Sequence, residues 1–292
     1  MSTLENVAVC GTQTSFGKSV KASLAAKGVS VISIKESDLR MPAPSLAEKL
    51  EGVDGIINLY GEPYVAKWKG RYEFDIYCSR LLAIRSIGTA IRYMTTKPDF
   101  FITLSNAMIY DKFEVHDEYS NVYGDSFMAE VGQMETTEAL KMKRHTDTTR
   151  LVILRSGYVM SRTWGAYPLL AAVSRIGLGG RVDDGYQCIP MVQEDDAIRA
   201  IAFLAENDSA EGIYNLTIPE MASMNELVKA FATALSKNQH RLPKFILSFM
   251  AGRSAKLLEQ NCKVLPRRLQ DAGFAFGYPN VDSIIRSLQK CK

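Results

Sequence analysis

Short apolar runs alternate with longer stretches of helical period through the first two-thirds of the chain. Asn6–Cys10 is a mostly apolar run that stops at a glycine-containing turn. Gly17–Lys27 follows as a predicted helix, with Val20, Leu24 and Ala25 on one face. Val29–Ile34 alternates at period two, and Asp54–Tyr60 and Asp99–Ser105 read as buried strands. Between them Lys67–Met94 predicts an extended helix, with Phe74, Cys78, Leu81, Leu82 and Ile84 as its apolar positions. Ser126–His145 predicts a second long helix, whose basic end (Lys141 to His145) complements exposed carbonyls, and the strand Arg150–Arg155 follows. Strands alternating with helices in this way predict a parallel sheet built from βαβ units.

The alternation weakens after residue 155. Pro42 and Pro44 mark an irregular connection. In the tail, Pro266 opens a short helix, Gly273 closes it, Phe274 and Phe276 alternate inward, and Asn280 caps Val281–Gln289. The expected organisation is a Rossmann-type core over 1–160, a mixed substrate lobe interleaved with it over 161–240, and a helical tail over 241–292. The fold class is α/β, a doubly wound parallel sheet with a smaller C-terminal lobe.

Composition narrows the function classes. With 47% hydrophobic and 23% charged residues the chain has a globular balance, and a net charge of +3 spread among acids leaves no basic stripe for nucleic acid. Cys10, Cys78, Cys188, Cys262 and Cys291 are scattered, which predicts reduced thiols rather than a disulfide framework. His116, His145 and His240 lack ligand spacing, so they are expected at the surface and no metal is expected. No apolar run is long enough for a bilayer and no leader is visible, so a cytoplasmic protein without a membrane partner is expected.

Several segments carry a resemblance: Asp54-Gly-Ile-Ile-Asn-Leu-Tyr-Gly-Glu-Pro63, Cys78-Ser-Arg80, Leu154-Arg-Ser-Gly-Tyr-Val159, Gly177-Leu-Gly-Gly180, Gln193-Glu-Asp-Asp196, and the stretch Val264 to Phe276. Together they resemble the atypical epimerase-family proteins of the extended short-chain dehydrogenase/reductase superfamily, which end in a small C-terminal domain of unknown function. The resemblance covers almost the whole chain, and the last segment is its most specific part.

The resemblance implies a nicotinamide dinucleotide, NADP or NAD, at the first βα turn. A strand–turn–helix unit gathers backbone N–H groups and the positive end of a helix dipole at one point, which suits a pyrophosphate. Here the turn reads Gly11-Thr-Gln-Thr14-Ser15-Phe16-Gly17, where the family pattern is Gly-x-x-Gly-x-x-Gly. Gly11 permits the tight turn, Gly17 lets the helix pack closely, and Thr14 stands where the middle glycine admits phosphate. At the end of the second strand Lys35 and Glu36 lie side by side, one suited to a 2′-phosphate and the other to a ribose hydroxyl; register decides between them. Asn58, Tyr60 and Gly61 follow the family's fourth strand, where the backbone passes along the dinucleotide or simply leaves the sheet.

The family's catalytic pattern is partly missing. Working relatives orient the substrate oxygen with a Ser or Thr and move the proton with a Tyr whose pKa a Lys four residues later lowers. Ser105 stands in the first position, but Phe127 and Val131 occupy the Tyr and Lys positions. Tyr110 and Tyr123 are substitute acids by proximity in sequence, with packing the favoured role for both. Arg155 and the Gly177–Gly180 turn are expected to line the cleft, with Arg155 either binding an anionic substrate or holding the loop. Gln193 replaces the family's histidine among the substrate positions, and Asp195 and Asp196 are expected to begin a helix.

Two functions remain open at this point. One is an NAD(P)-dependent oxidoreductase or epimerase-like protein acting on a small-molecule substrate; the other is a non-catalytic, nucleotide-responsive or structural partner on the same fold. Homo-oligomerisation is left open.

Overall fold

A computed structural model describes residues 4–144, 146, 148–177, 179–180, 184–238, 240, 252–254, 257 and 260–289. The strand–helix order begins β1 (Asn6–Cys10), α1 (Ser15–Ala26), β2 (Ser30–Ile34), α2 (Glu36–Leu39), α3 (Ala43–Leu50) and β3 (Gly55–Asn58). It continues with α4 (Tyr72–Tyr93), β4 (Phe100–Asn106), β5 (Val115–His116), α5 (Phe127–Lys143) and β6 (Arg150–Ser156). Next come β7 (Tyr158–Met160), α6 (Ala166–Arg175), β8 (Met191–Gln193), α7 (Glu194–Glu206), β9 (Gly212–Leu216) and α8 (Met224–Leu235). The tail holds β10 (Lys263–Val264) and the helices Arg267–Asp271 and Val281–Gln289.

Six strands form a parallel sheet in the order β2-β1-β3-β4-β6-β9. Their runs are apolar on both faces because helices cover both, as a doubly wound parallel sheet requires. Val7, Val9, Ile57, Ile102, Val152 and Leu154 pack towards α1 and α7, while Ala8, Ile34, Ile56, Phe101 and Ile153 pack towards α3 and α4. The strand order reverses direction between β1 and β3, and such a switch point opens a crevice at the carboxyl ends of the strands.

Several sequence expectations are corrected. The strand bearing Asn58 is the third in the chain, because 36–50 forms α2 and α3 rather than an irregular connection. Pro42 and Pro44 sit at the start of α3, where a missing N–H costs nothing, and Leu46, Ala47 and Leu50 turn inward. Helix α4 begins at Tyr72 rather than Lys67, and Phe74 is 54% exposed. Its buried stripe runs Ile76, Arg80, Ala83, Ile84 and Ile87, so it carries a guanidinium into the interior. His116 is buried, stacked on Tyr110 with ring centroids 5.0 Å apart, and its Nε2 lies 2.8 Å from Asp111. His240 is exposed as expected; His145 and Cys291 lie outside the described residues. The four described cysteines are free thiols, and the described residues hold no metal-ligand cluster and no helix long and apolar enough to cross a membrane.

The tail is woven into the rest. β10 pairs with β5, and Val281, Ile284, Ile285 and Leu288 pack in one apolar cluster with Leu227 and Phe231 of α8. Gly273, at φ +87°, closes the helix Arg267–Asp271, and the Asn280 side chain accepts from the Ser283 N–H at 3.0 Å. Phe274 is buried; Phe276 is half-buried and meets it edge-on at 4.9 Å.

Candidate active site

A cleft of about 480 Å³ opens at the carboxyl ends of β1, β3, β4 and β6, where the sheet order reverses. One end is floored by Gln13, Thr14, Ser15 and Phe16, the middle by Leu59, Gly61, Leu104 and Ser105, and the far end by Tyr64, Val65, Met108, Tyr158 and Ala166.

The first turn forms as its glycines require. Gly11 has φ +92°, and a Cβ there would lie 3.0 Å from the Leu59 and Tyr60 backbone; a Cβ on Gly17 would lie 2.1 Å from the Gly11 carbonyl oxygen. Thr14 takes the N-cap of α1: its hydroxyl donates to the Gly11 carbonyl at 2.8 Å and accepts from the Gly17 N–H at 3.0 Å. The hydroxyl is therefore committed to the helix. The N–H groups of Ser15 and Phe16 have no intrahelical acceptor, as in any first turn, and these residues line the cleft. The wall beside them is a tilted Phe16–Trp164 pair at 5.4 Å. Glu194 ties it to α1 and α7, accepting from Trp164 Nε1 at 3.0 Å and from the Ser19 hydroxyl at 2.9 Å.

The register at the end of β2 separates Lys35 from Glu36. Glu36 accepts from Arg40 at 2.8 Å and from the Tyr60 hydroxyl, and these contacts, Arg40 first, hold its carboxyl below the ordinary glutamate range. Lys35 follows β2 directly, with its side chain exposed. Asn58 is a structural clamp, donating to Thr103 at 3.0 Å and accepting from the Tyr60 N–H at 3.2 Å. Tyr60 packs in the core, where burial pushes its phenol pKa up. Gly61 lines the cleft, and the space above it is filled by the Arg80 side chain, which a Cβ would meet at 2.8 Å.

Ser105 lies in the middle of the cleft at the end of β4, and its hydroxyl donates to Glu135 Oε2 at 2.7 Å. Glu135, on the buried stripe of α5, is 1% exposed and pairs through Oε1 with Arg80 Nη1 at 3.1 Å. Arg80 also donates to the Glu62 carbonyl at 3.0 Å, and the Tyr64 ring covers its guanidinium at 3.9 Å. Burial raises the Glu135 pKa against the opposing pull of Arg80 and Ser105, while Arg80 stays cationic beside it. Sequence reasoning passed over this pair. The available signal was a charge on an apolar period: Arg80 between Ile76 and Ile84, and Glu135 between Val131 and Ala139.

Other expected site residues do not line the cleft. Tyr110 is buried beneath it, its hydroxyl accepting from Arg155 at 2.8 Å and bonded to Asn215 at 3.1 Å. Tyr123 bridges to the Tyr110 backbone, 36% exposed. Arg155 is fully buried and faces both tyrosine rings at 5.2 and 5.6 Å, away from the residues that line the cleft. Gln193 is the N-cap of α7, accepting from the Asp195 and Asp196 N–H groups. Asp195 and Asp196 begin α7 as expected. Phe127 and Val131 pack in an apolar cluster with Trp68, Ile76 and Met108, and neither lines the cleft. Of the Gly177–Gly180 turn, Gly177, Gly179 and Gly180 are described, and none lines the cleft.

Fold and cleft together define a Rossmann-type α/β protein. The family model described as "Domain of unknown function (DUF1731)" matches residues 242–288. The chain is 27% identical over 294 residues to the epimerase family protein SDR39U1 of Bos taurus, covering 97% of this chain and 99% of that protein. It is also 27% identical over 262 residues to an epimerase family protein of Staphylococcus saprophyticus, covering 87% and 86%. The crystal structure of human epimerase family protein SDR39U1 (isoform 2), which holds NADPH, superposes with a TM-score of 0.87 at 25% identity over 98% of this chain and 99% of that one. UDP-glucuronic acid 4-epimerase from Bacillus cereus, solved with UDP-glucuronic acid and NAD, shares the fold at a TM-score of 0.76 and 14% identity, covering 97% and 98%. The chain is thus similar over nearly its whole length to the atypical epimerase-family proteins, and its residues 242–288 match the DUF1731 model.

Proposed function

We propose that the cleft binds a nicotinamide dinucleotide, NADP(H) in preference to NAD(H), and supports hydride transfer to or from a small carbonyl or alcohol substrate. The observation that carries this reading is the α1 N-terminus: two uncommitted N–H groups and a helix dipole face a roomy cleft beside a Gly11 turn that approaches β3 closely. The residues fit the group. Ser15 and Phe16 would hold the pyrophosphate through the backbone, and Lys35 would meet a 2′-phosphate while Arg40 and Tyr60 occupy Glu36. The NADPH held by the human SDR39U1 protein supports the same choice.

When bound, the dinucleotide supplies or accepts the hydride. The chain's own residues do the rest. Ser105 places a hydroxyl where a substrate oxygen reaches it, and Tyr64, Val65, Met108, Tyr158 and Ala166 exclude water from the far end of the cleft. That lining suits a compact substrate with an apolar body.

A second reading, a non-catalytic nucleotide-responsive protein, draws on the Thr14 hydroxyl being spent on the helix cap, on the partly buried Phe127 and on the buried Val131. Titration with NADPH and NADH, followed by nicotinamide fluorescence, tests the shared cofactor claim. Saturable binding with NADPH favoured, and a loss of about tenfold in NADPH affinity alone in Lys35→Ala, is the expected result. No saturable signal for either nucleotide would remove it.

A further inference from the structure

The Tyr–Lys proton path of the superfamily is closed here, yet Ser105 does not face the cleft alone. Its hydroxyl bonds to Glu135, as does the guanidinium of Arg80, which also lines the cleft, so the three side chains form a chain Ser105–Glu135–Arg80 along the cleft wall. A serine that serves only to orient an oxygen needs no buried carboxyl behind it. A structural ion pair, equally, needs no hydroxyl in a cleft.

We infer that Glu135 is the proton reservoir of this site, exchanging its proton with substrate through the Ser105 hydroxyl. The inference rests on the hydride-transfer reading above. In the reductive direction the hydride forms a bond to the carbonyl carbon, and the C=O π pair moves onto oxygen. That oxygen takes the Ser105 proton, and Ser105 takes the proton of the Glu135 carboxylic acid. The carboxylate left behind is held by Arg80. When product leaves, water in the open cleft returns a proton along the same path. In the oxidative direction each transfer reverses. A carbonyl, a hydride and a proton thus become an alcohol, with the reduced nicotinamide oxidised and nothing left over.

The surroundings balance the two forms of the carboxyl. Burial favours the neutral acid; the Arg80 charge from α4 and the hydroxyl of Ser105 from β4 favour the anion, as does Asn106 beside it. Tyr64, from the loop after β3, caps Arg80 and keeps bulk water from the pair. Among the described residues, these are the charged and titratable groups that act on Glu135. Burial prevails and raises its pKa above that of an exposed glutamate, the direction a proton donor needs. Ser105 touches the substrate; Glu135 acts through it.

The test uses the free, full-length protein labelled with ¹³C at glutamate side-chain carboxyls. The Glu135 resonance is identified by its loss in Glu135→Gln, and NADPH binding is measured in the same samples. One carboxyl should titrate above the ordinary glutamate range, and Ser105→Ala, which leaves the ion pair intact, should move that midpoint further up. Glu135→Gln should keep NADPH affinity within about twofold. A Glu135 carboxyl that titrates in or below the ordinary range, or one that ignores Ser105→Ala, overturns the relay and leaves the cofactor reading standing. Absence of NADPH binding in the unmodified protein overturns both.

Discussion

Asp196, at the start of α7, accepts from the backbone N–H groups of Gly277 and Tyr278 at 3.0 and 2.8 Å, eighty-odd residues further along the chain. The carboxylate is fully buried and also pairs with Arg199. It serves the α7 dipole and anchors the tail at once, which explains why an acidic pair opens this helix.

Removing that anchor strands two N–H groups. Asp196→Ala is expected to lose about 3 kcal/mol of stability, read as a lower denaturant midpoint, because charge-assisted hydrogen bonds to a buried carboxylate are lost together. Unchanged stability would mean that the tail docks through its apolar contacts alone.

Restoring the superfamily's Tyr–Lys pair is expected to fail. Val131 is fully buried in the cluster that holds Trp68 and Met108, so Val131→Lys forces an ammonium and a longer side chain into closely packed apolar surroundings. The double substitution Phe127→Tyr with Val131→Lys should cost about 3 kcal/mol or more, measured by chemical denaturation, without raising any reductase turnover. A stable and more active double variant would show that the helix can turn this face to the cleft.

Acid stability should depend on Glu138. Arg85 grips it bidentately at 2.9 and 3.0 Å and Lys141 adds a contact at 2.7 Å, joining α4 to α5. These partners, Arg85 first, lower its pKa from 4.5 to about 2. A carboxyl whose folded pKa is depressed contributes stability above its unfolded pKa and loses it as pH falls through the folded one. The stability gap between the natural protein and Glu138→Gln should therefore be constant above about pH 5 and narrow between 4.5 and about 2. A gap that persists at pH 2 would assign the effect to packing.

Much of the fold was legible because strand periodicity and turn chemistry agree locally: Asn6–Cys10 reads alike in sequence and structure, and Ser126 caps α5 as its position suggests. The site was legible only where backbone geometry decides it, as at Gly11 and Gly17. Side-chain roles set by distant partners were not. Tyr110 stands five residues from Ser105 but turns to Arg155, forty-five residues away. Ser105 turns to Glu135, thirty residues away on another element. Proximity in sequence says little about which face of a strand or helix a residue takes, and the charged residues on apolar stripes were the better guide.

The N-terminus of α1 is the proposed pyrophosphate site, and Ser15→Asp separates that role from helix stability most directly. Ser15 is exposed at the first position of the helix, where a carboxylate favours the dipole by about 0.3–1 kcal/mol yet repels a phosphate. NADPH titration and thermal denaturation of the variant should move in opposite senses: a melting temperature unchanged or raised, and an affinity weakened about tenfold or more. NADPH binding that is undiminished in a folded Ser15→Asp protein would contradict the site assigned here.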